Sequence, residues 1–398
     1  MKSSLSLLVL GLTVGSLCQA TALDWYRWRG PDLNGLSKET GWLTEWPAGG
    51  PTVVWKASVG IGFSSVTVAD GRCFTVGNRD EKDTVYCFDA ATGKELWKHT
   101  YSCPLLAKFY EGGPGFTPTV DGDRVFAFSK TGEVFCLEAA TGKVVWSKNL
   151  AQEPGLKAPT WGFAGSALIH GDLLLLDAGA AGTALDKKTG RVVWSSGPEA
   201  SGYATLVPLD SKSETMLIFG AQALIAVNTK DGKELWRHPW KTSYDVNAAD
   251  PVVAGDRVFI SSGYDRGGAL IQLAGGKPAV VWENKNMRNQ FNSSVLWEGH
   301  LYGADDNQLR CLELGTGAVK WTEKPVGKGS LMLADGKLIV LSEQGELMIA
   351  PATPEGFKPT ARAKVLDGRC WTAPTLSNGR IYGRNAAGNL VCVDVRGK

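Results

Sequence analysis

Residues 135–146 read FCLEAATGKVVW. Phe135, Leu137 and Ala139 alternate with Cys136 and Glu138, the period of two expected of a half-buried strand, and Val144, Val145 and Trp146 begin a second strand. Between them Thr141 is placed to hydrogen-bond the local backbone, and Gly142 can take the positive φ that a tight hairpin with a bulge demands. One hairpin cannot bury the Trp146 indole, so the unit needs neighbours.

The chain supplies them as copies. YCFDAATGKELW ends at Trp97, TALDKKTGRVVW at Trp194, LIAVNTKDGKELW at Trp236, GALIQLAGGKPAVVW at Trp282 and LRCLELGTGAVKW at Trp321. Successive tryptophans lie 39 to 49 residues apart, about the length of one four-stranded propeller blade. Asp70-Gly71, Gly171-Asp172, Gly255-Asp256, Glu298-Gly299, Asp335-Gly336 and Asn378-Gly379 mark the turns where first strands pass into second strands. First strands are expected near Ser65, Pro118, Ser166, Thr205, Pro251, Ser293, Ser330 and Ala373, which gives an all-β, eight-bladed propeller of four-stranded antiparallel blades. The seventh blade lacks the TG turn and tryptophan. The eighth has three strands before the chain stops, while PTVVWKASV, with Trp55, stands alone near the other end; pairing the two closes the ring over residues 51–398 and removes its free edges. The regular spacing of Trp55, Trp97, Trp146, Trp194, Trp236, Trp282 and Trp321 assigns them to packing between blades.

What precedes the propeller has a different pattern. Residues 1–22 combine Lys2, the apolar run from Leu5 to Val14 and the small-x-small Ala20-Thr21-Ala22, the form of an export signal. A lipid anchor at Cys18 is the competing reading, but Leu17 before it is large. No segment approaches the roughly 20 apolar residues of a membrane span. An exported protein in the periplasm or outside the cell follows. Residues 23–50 carry Trp25, Trp28, Trp42 and Trp46 among Gly and Pro and are expected as an irregular arm packed on the outside of the fold. The net charge of +2 in 398 residues points to no nucleic-acid partner.

The A-x-x-T-G-x-x-x-W pattern, in AATGKELW and AATGKVVW, resembles the tryptophan-docking motif of the quinoprotein propellers. With WRGP near Trp28, CWTAP from Cys370 and GKGSLMLADGKL, the chain is most similar to the exported PQQ-like β-propeller repeat proteins of planctomycete and verrucomicrobial bacteria, related to the BamB-like proteins and the quinoprotein alcohol dehydrogenases. The resemblance implies either a cofactor-free scaffold or an enzyme holding pyrroloquinoline quinone (PQQ) on an axial tryptophan, with Ca²⁺, a catalytic aspartate and usually a vicinal disulfide. The sequence has no Cys-Cys pair, and no calcium-ligand motif or base maps onto it. Asp305-Asp306-Asn307 resembles a fragment of a calcium loop but falls where a hairpin turn is expected.

In a propeller, the loops from each outer strand to the next inner strand gather around the axis on one face. Here small residues dominate them, and among these stand Phe116, Trp161, Tyr203, Asn247, Asp250, Asn292, Lys328, Arg369 and Trp371, a set suited to a planar or sugar-like ligand or to plugging the channel. For an enzyme, Asp250 or Asp245 would be the base, Trp371 or Trp161 the quinone platform, and Arg369 or Lys328 the partner of its carboxylates. The four histidines are scattered, and no HExxH, GxSxG or Walker pattern occurs. The expectation is a binding or scaffold module in the cell envelope with a protein or glycan partner; the alternative is a small PQQ-dependent dehydrogenase of alcohols or sugars. Seven cysteines follow the signal segment, and a hairpin centred on Asp80 would set Cys73 opposite Cys87 as a disulfide.

Overall fold

The computed structural model describes residues 23–397 apart from 109, 210–213 and 275. Residues 1–22, where an export signal is expected, and Cys18 within them lie outside the described residues. The rest folds into eight four-stranded antiparallel sheets, called blades 1 to 8 here, spanning residues 67–102, 119–149, 168–195, 207–239, 252–284, 295–323, 330–364 and 375–394. Blade 8 is completed by Thr52–Ser58, paired antiparallel to Asn389–Asp394, so the first long strand and the last close the ring.

The repeat motif builds seven of the eight blade junctions, all but that between blades 7 and 8. In blade 2 the third-to-fourth-strand register slips between Val144 and Trp146, and the same slip recurs before Trp55, Trp97, Trp194, Trp236, Trp282 and Trp321. This bulge turns each indole inward while the preceding residues, such as Val144 and Val145, stay exposed. The indole then reaches the next blade. Trp97 Nε1 donates to Ala139 O at 2.9 Å, Trp146 to Lys187 O at 3.0 Å and Trp194 to Thr229 O at 2.9 Å. Glycine of the TG turn is needed twice over: Gly142 has φ of 72°, and a Cβ there would stand 2.5 Å from the Trp97 ring.

The turn signals are also realised. Asp70, Glu298, Asp335 and Asn378 have φ between 45° and 53°, each followed by a glycine with positive φ. In blade 1, however, the second hairpin turns between Asp80 and Glu81, with φ of 52° and 58°, so Cys73 pairs with Phe88 and Cys87 with Phe74. The expected centre on Asp80 was half a residue off, which shifts the pairing by one residue and puts the two side chains on opposite faces of the sheet. Cys73 and Cys87 are therefore separate buried thiols.

The arm lies elsewhere than expected. Rather than packing outside, residues 25–43 cross the axial channel. Trp25 exchanges backbone hydrogen bonds with Val68 of blade 1, and Tyr26 O accepts from Val120 N of blade 2. Leu33 packs against Leu168 and Leu206 of blades 3 and 4. Arg29 donates to Ser294 O at 2.7 Å beside blade 6, Leu36–Ser37 pairs parallel with blade 7, and Leu43 N donates to Val395 O beyond blade 8. Several contacts fall at first-to-second-strand turns, such as Asp24 with Asp70 and Glu39 with Gly379, so the arm closes the face opposite the outer-to-inner loops. Eight first strands leave an axis too wide for their own side chains to fill, and the buried Trp25 and Leu33 supply the missing apolar volume.

Candidate functional site

Two residues before the first strands of blades 1 to 6 the chain carries a hydroxyl or a carboxylate, and these link blade to blade. Ser65 N donates to Thr117 Oγ1 at 3.0 Å, Thr117 N to Ser166 Oγ at 2.9 Å and Ser166 N to Thr205 Oγ1 at 3.0 Å. Thr205 N continues to Asp250 Oδ1, and Asp250 N to Ser293 Oγ, both at 2.8 Å. This girdle satisfies backbone donors that face the channel instead of a neighbouring strand. Asp250 is its one carboxylate, and the arm compensates it: Trp28 Nε1 donates to Asp250 Oδ2 at 2.6 Å, and Arg29 Nε lies 3.7 Å away. Burial pushes the Asp250 carboxyl up, against the pull of Arg29 and these hydrogen bonds.

Above the girdle opens a cavity of about 490 Å³ with Trp28 and Asp250 among its lining. Aromatic rings form two walls. Tyr110, Phe63, Trp371 and Phe291 make the first, with successive ring centroids 5.5, 5.7 and 4.7 Å apart. Tyr203, Trp161, Tyr244 and Tyr264 make the second, at 6.0, 6.4 and 5.6 Å. Trp371 is fixed on several sides: its Nε1 donates to Glu343 Oε1 at 2.8 Å, and the Arg369 guanidinium lies 4.4 Å from its ring. Glu343 Oε2 also accepts from Lys328 N, and Lys328 Nζ stands 5.6 Å from the Trp371 ring. Trp161 Nε1 donates to Lys108 O at 3.2 Å. Deeper in, Lys130 pairs with the buried Asp83 at 3.1 Å.

Of the residues singled out from sequence, Trp161, Tyr203, Asp250, Asn292, Lys328 and Trp371 line this cavity. Arg369 stands at its edge, stacked on Trp371 and paired with Glu111 at 2.8 Å. Two residues require correction. Phe116 is fully buried in the core between blades 1 and 2, because its loop turns the ring toward Phe74 and Phe135. Asn247 is buried as a loop clamp, donating to Gly220 O at 2.9 Å and accepting from Ser262 Oγ at 2.8 Å. Asp245 is an exposed partner of Gln222, and Asp305 is held by Arg288 and Arg310. Sequence reading missed Trp28 because it lies in the arm, and Tyr264 because it lies in a second-to-third-strand turn on the same face. Phe63 and Phe291 lie in the outer-to-inner loops, where an aromatic beside small residues is the available signal.

The family model described as outer membrane protein assembly factor BamB matches residues 40–114 and 81–323. The chain belongs to this BamB family. Comparison with curated proteins found no match. Among solved structures, BamB from Moraxella catarrhalis is 17% identical, with a TM-score of 0.63 over 86% of this chain and 97% of that one. The quinohemoprotein alcohol dehydrogenase ADHIIG from Pseudomonas putida HK5 is 13% identical, with a TM-score of 0.69 over 94% of this chain and 81% of that one. A computationally designed protein, Ika8, is 12% identical at a TM-score of 0.64, over 87% and 100%. At these identities the likeness speaks for the fold alone, which assembly factors, enzymes and designs share.

Proposed function

We propose that this BamB-family member is an exported binding or scaffold module of the cell envelope that engages its partner through the axial cavity of the loop face. The observation carrying this reading is the cavity itself: two walls of clustered aromatic rings, fixed from behind, with the nearest carboxylate already consumed by structure. Such a surface gives contact area at low entropic cost. The export signal expected in residues 1–22 and the family's description as an outer membrane protein assembly factor support the envelope setting. Among the described residues no helix is long and apolar enough to cross a membrane.

The fold family also implies PQQ with Ca²⁺, and the donor set does not fit that pair. Calcium takes about 6–8 oxygen ligands, carboxylates prominent among them. Here the Asp250 oxygens receive Trp28 Nε1 and Thr205 N, Asp83 is bound by Lys130, Glu343 by Trp371 and Glu111 by Arg369. Among the described residues no three His, Cys, Asp or Glu side chains cluster as metal ligands. A dehydrogenase would also need a base within reach of its substrate, and Asp250 is masked for that work.

Adding PQQ and Ca²⁺ to the purified protein tests the reading. The expected result is an unchanged melting temperature and no dye reduction with alcohols or sugars. Saturation at 100 times a dissociation constant would stabilise a true complex by about 2.7 kcal/mol. An upward shift that Trp371→Ala abolishes would reverse the conclusion in favour of the dehydrogenase.

A further inference from the structure

The chemistry of the cavity narrows what it binds. Its walls offer apolar faces, yet four of the eight rings are tyrosines, whose hydroxyls add polar tips to the same surface. Within each wall the rings are inclined to one another, by 28° to 43° in the first and 59° to 89° in the second. Faceted walls of this kind suit a ligand with puckered apolar faces and polar edges, and suit a single flat ring system poorly. A pyranose has that form: its axial C–H faces lie on aromatic rings while its equatorial hydroxyls point sideways to hydrogen-bonding groups. Gln290 lines the cavity, and its side chain has no hydrogen-bond partner among the described residues.

Charge supplies the second constraint. Lys108, Lys130, Lys328 and Asp250 are the ionic residues of the lining. Lys130 is paired with Asp83, and Asp250 is compensated by Arg29 and Trp28. Among the described residues no carboxylate lies within salt-bridge distance of the Lys108 or Lys328 side chain; Lys328 feels Asp306 from farther off, and its Nζ stands near Trp371 at the first wall. Uncommitted charge in the cavity is therefore positive and sits beside the aromatic faces. An anion carried on the sugar itself would meet it.

We propose that the cavity binds an acidic oligosaccharide, a short chain of carboxylate-bearing pyranoses whose faces stack on Trp371 and Trp161 and whose carboxylate meets Lys328. This rests on the binding-module reading above and names its ligand class. The volume lies within the roughly 300–1,000 Å³ of small-molecule sites, so the cavity takes an oligosaccharide end and not a folded partner.

The test is calorimetric titration of the full protein with trigalacturonate, using maltotriose as the neutral control and intrinsic tryptophan fluorescence as a second readout. Trigalacturonate is expected to bind at least about tenfold more tightly than maltotriose and to weaken as salt is raised. Trp371→Ala and Trp161→Ala should each weaken it by about tenfold or more. Lys328→Gln should lower trigalacturonate affinity to about that of maltotriose and remove its salt dependence, a result that a merely damaged fold does not give; melting temperatures of all three variants check the fold directly. Equal binding of the two trisaccharides, or none of either, overturns the proposal. If neither sugar binds and PQQ is also without effect, the ligand class is wrong while the binding module stands. If neither sugar binds and PQQ stabilises, both fall.

Discussion

At the scale of single residues, the structure separates charges that are provided for from one that is not. Asp177 follows the second strand of blade 3, behind Gly165, and is 1% exposed; neither of its oxygens has a hydrogen-bond partner among the described residues. Burial drives its carboxyl well above the usual range, and the nearby Asp250 adds to the effect. Folded Asp177 thus keeps its proton at a pH where the unfolded chain, ionising near about pH 4, has released it. The folded state binds more protons, so this residue makes stability fall as pH rises from the unfolded value toward the folded one. Asp177→Asn removes that proton linkage. Urea unfolding of both proteins should therefore show the variant gaining on the parent as the pH is raised above about 4, the value at which the unfolded chain loses this proton. A difference that is constant across this range would mean that Asp177 ionises in the folded protein as it does in the unfolded one.

At the scale of elements, legibility follows periodicity. The blade hairpins were readable because the same short-range chemistry recurs: alternating apolar residues, a glycine forced by both φ and the preceding indole, and a tryptophan aimed by a bulge. Positions fixed by one local event were not readable at that precision. Cys73 and Cys87 depended on whether a turn was centred on Asp80 or between Asp80 and Glu81, and half a residue of offset reversed the faces. Phe116 and Asn247 sat in the predicted loops, but a loop's location does not say which side chains turn inward. The cavity was partly visible, through Trp161 and Trp371, and its second wall was completed by Tyr244 and Tyr264, whose loops carry no repeat. The closing strand is the element on which sequence and structure agree most consequentially. Thr52–Ser58 both covers the edge of Asn389–Asp394 and places Trp55 between blades 8 and 1, where Nε1 donates to Ala90 O at 3.1 Å. Deleting residues 51–59 should cost at least about 3–5 kcal/mol from the lost tryptophan alone and leave a bare strand edge prone to pairing with other chains. Melting temperature and light scattering read both effects, and a soluble variant that melts like the parent would show that the ring does not depend on this strand.

At the scale of the whole molecule, the arm does what no repeat can. Tryptophans staple every blade but the seventh to the next, and the girdle links blades 1 to 6; both act between neighbours, so a propeller built only from these is a chain of local junctions. The arm instead runs across the axis and joins blades that are distant in the ring. Its central connection is Arg29, whose guanidinium is 6% exposed, lies 3.7 Å from Asp250 and donates to Leu33 O, Asn34 O and Ser294 O. Burial lowers the arginine's proton affinity and raises that of the aspartate, and each charge offsets part of the other's cost. Removing one partner from such a pair leaves the other buried and unmatched. Arg29→Met should therefore destabilise the protein by about 3–5 kcal/mol. Adding Asp250→Asn to that variant removes the stranded charge and keeps an oxygen for Thr205 N at the cost of the bond from Trp28 Nε1, so the double variant should recover part of the loss. Recovery is the informative quantity, because Arg29 also fills space in the arm, and that contribution is missing from both variants. Urea midpoints for the two single variants and the double complete a thermodynamic cycle. If the double variant is no more stable than Arg29→Met, the arm holds the ring by packing alone, and Asp250 is carried by its hydrogen bonds to Trp28 and the girdle.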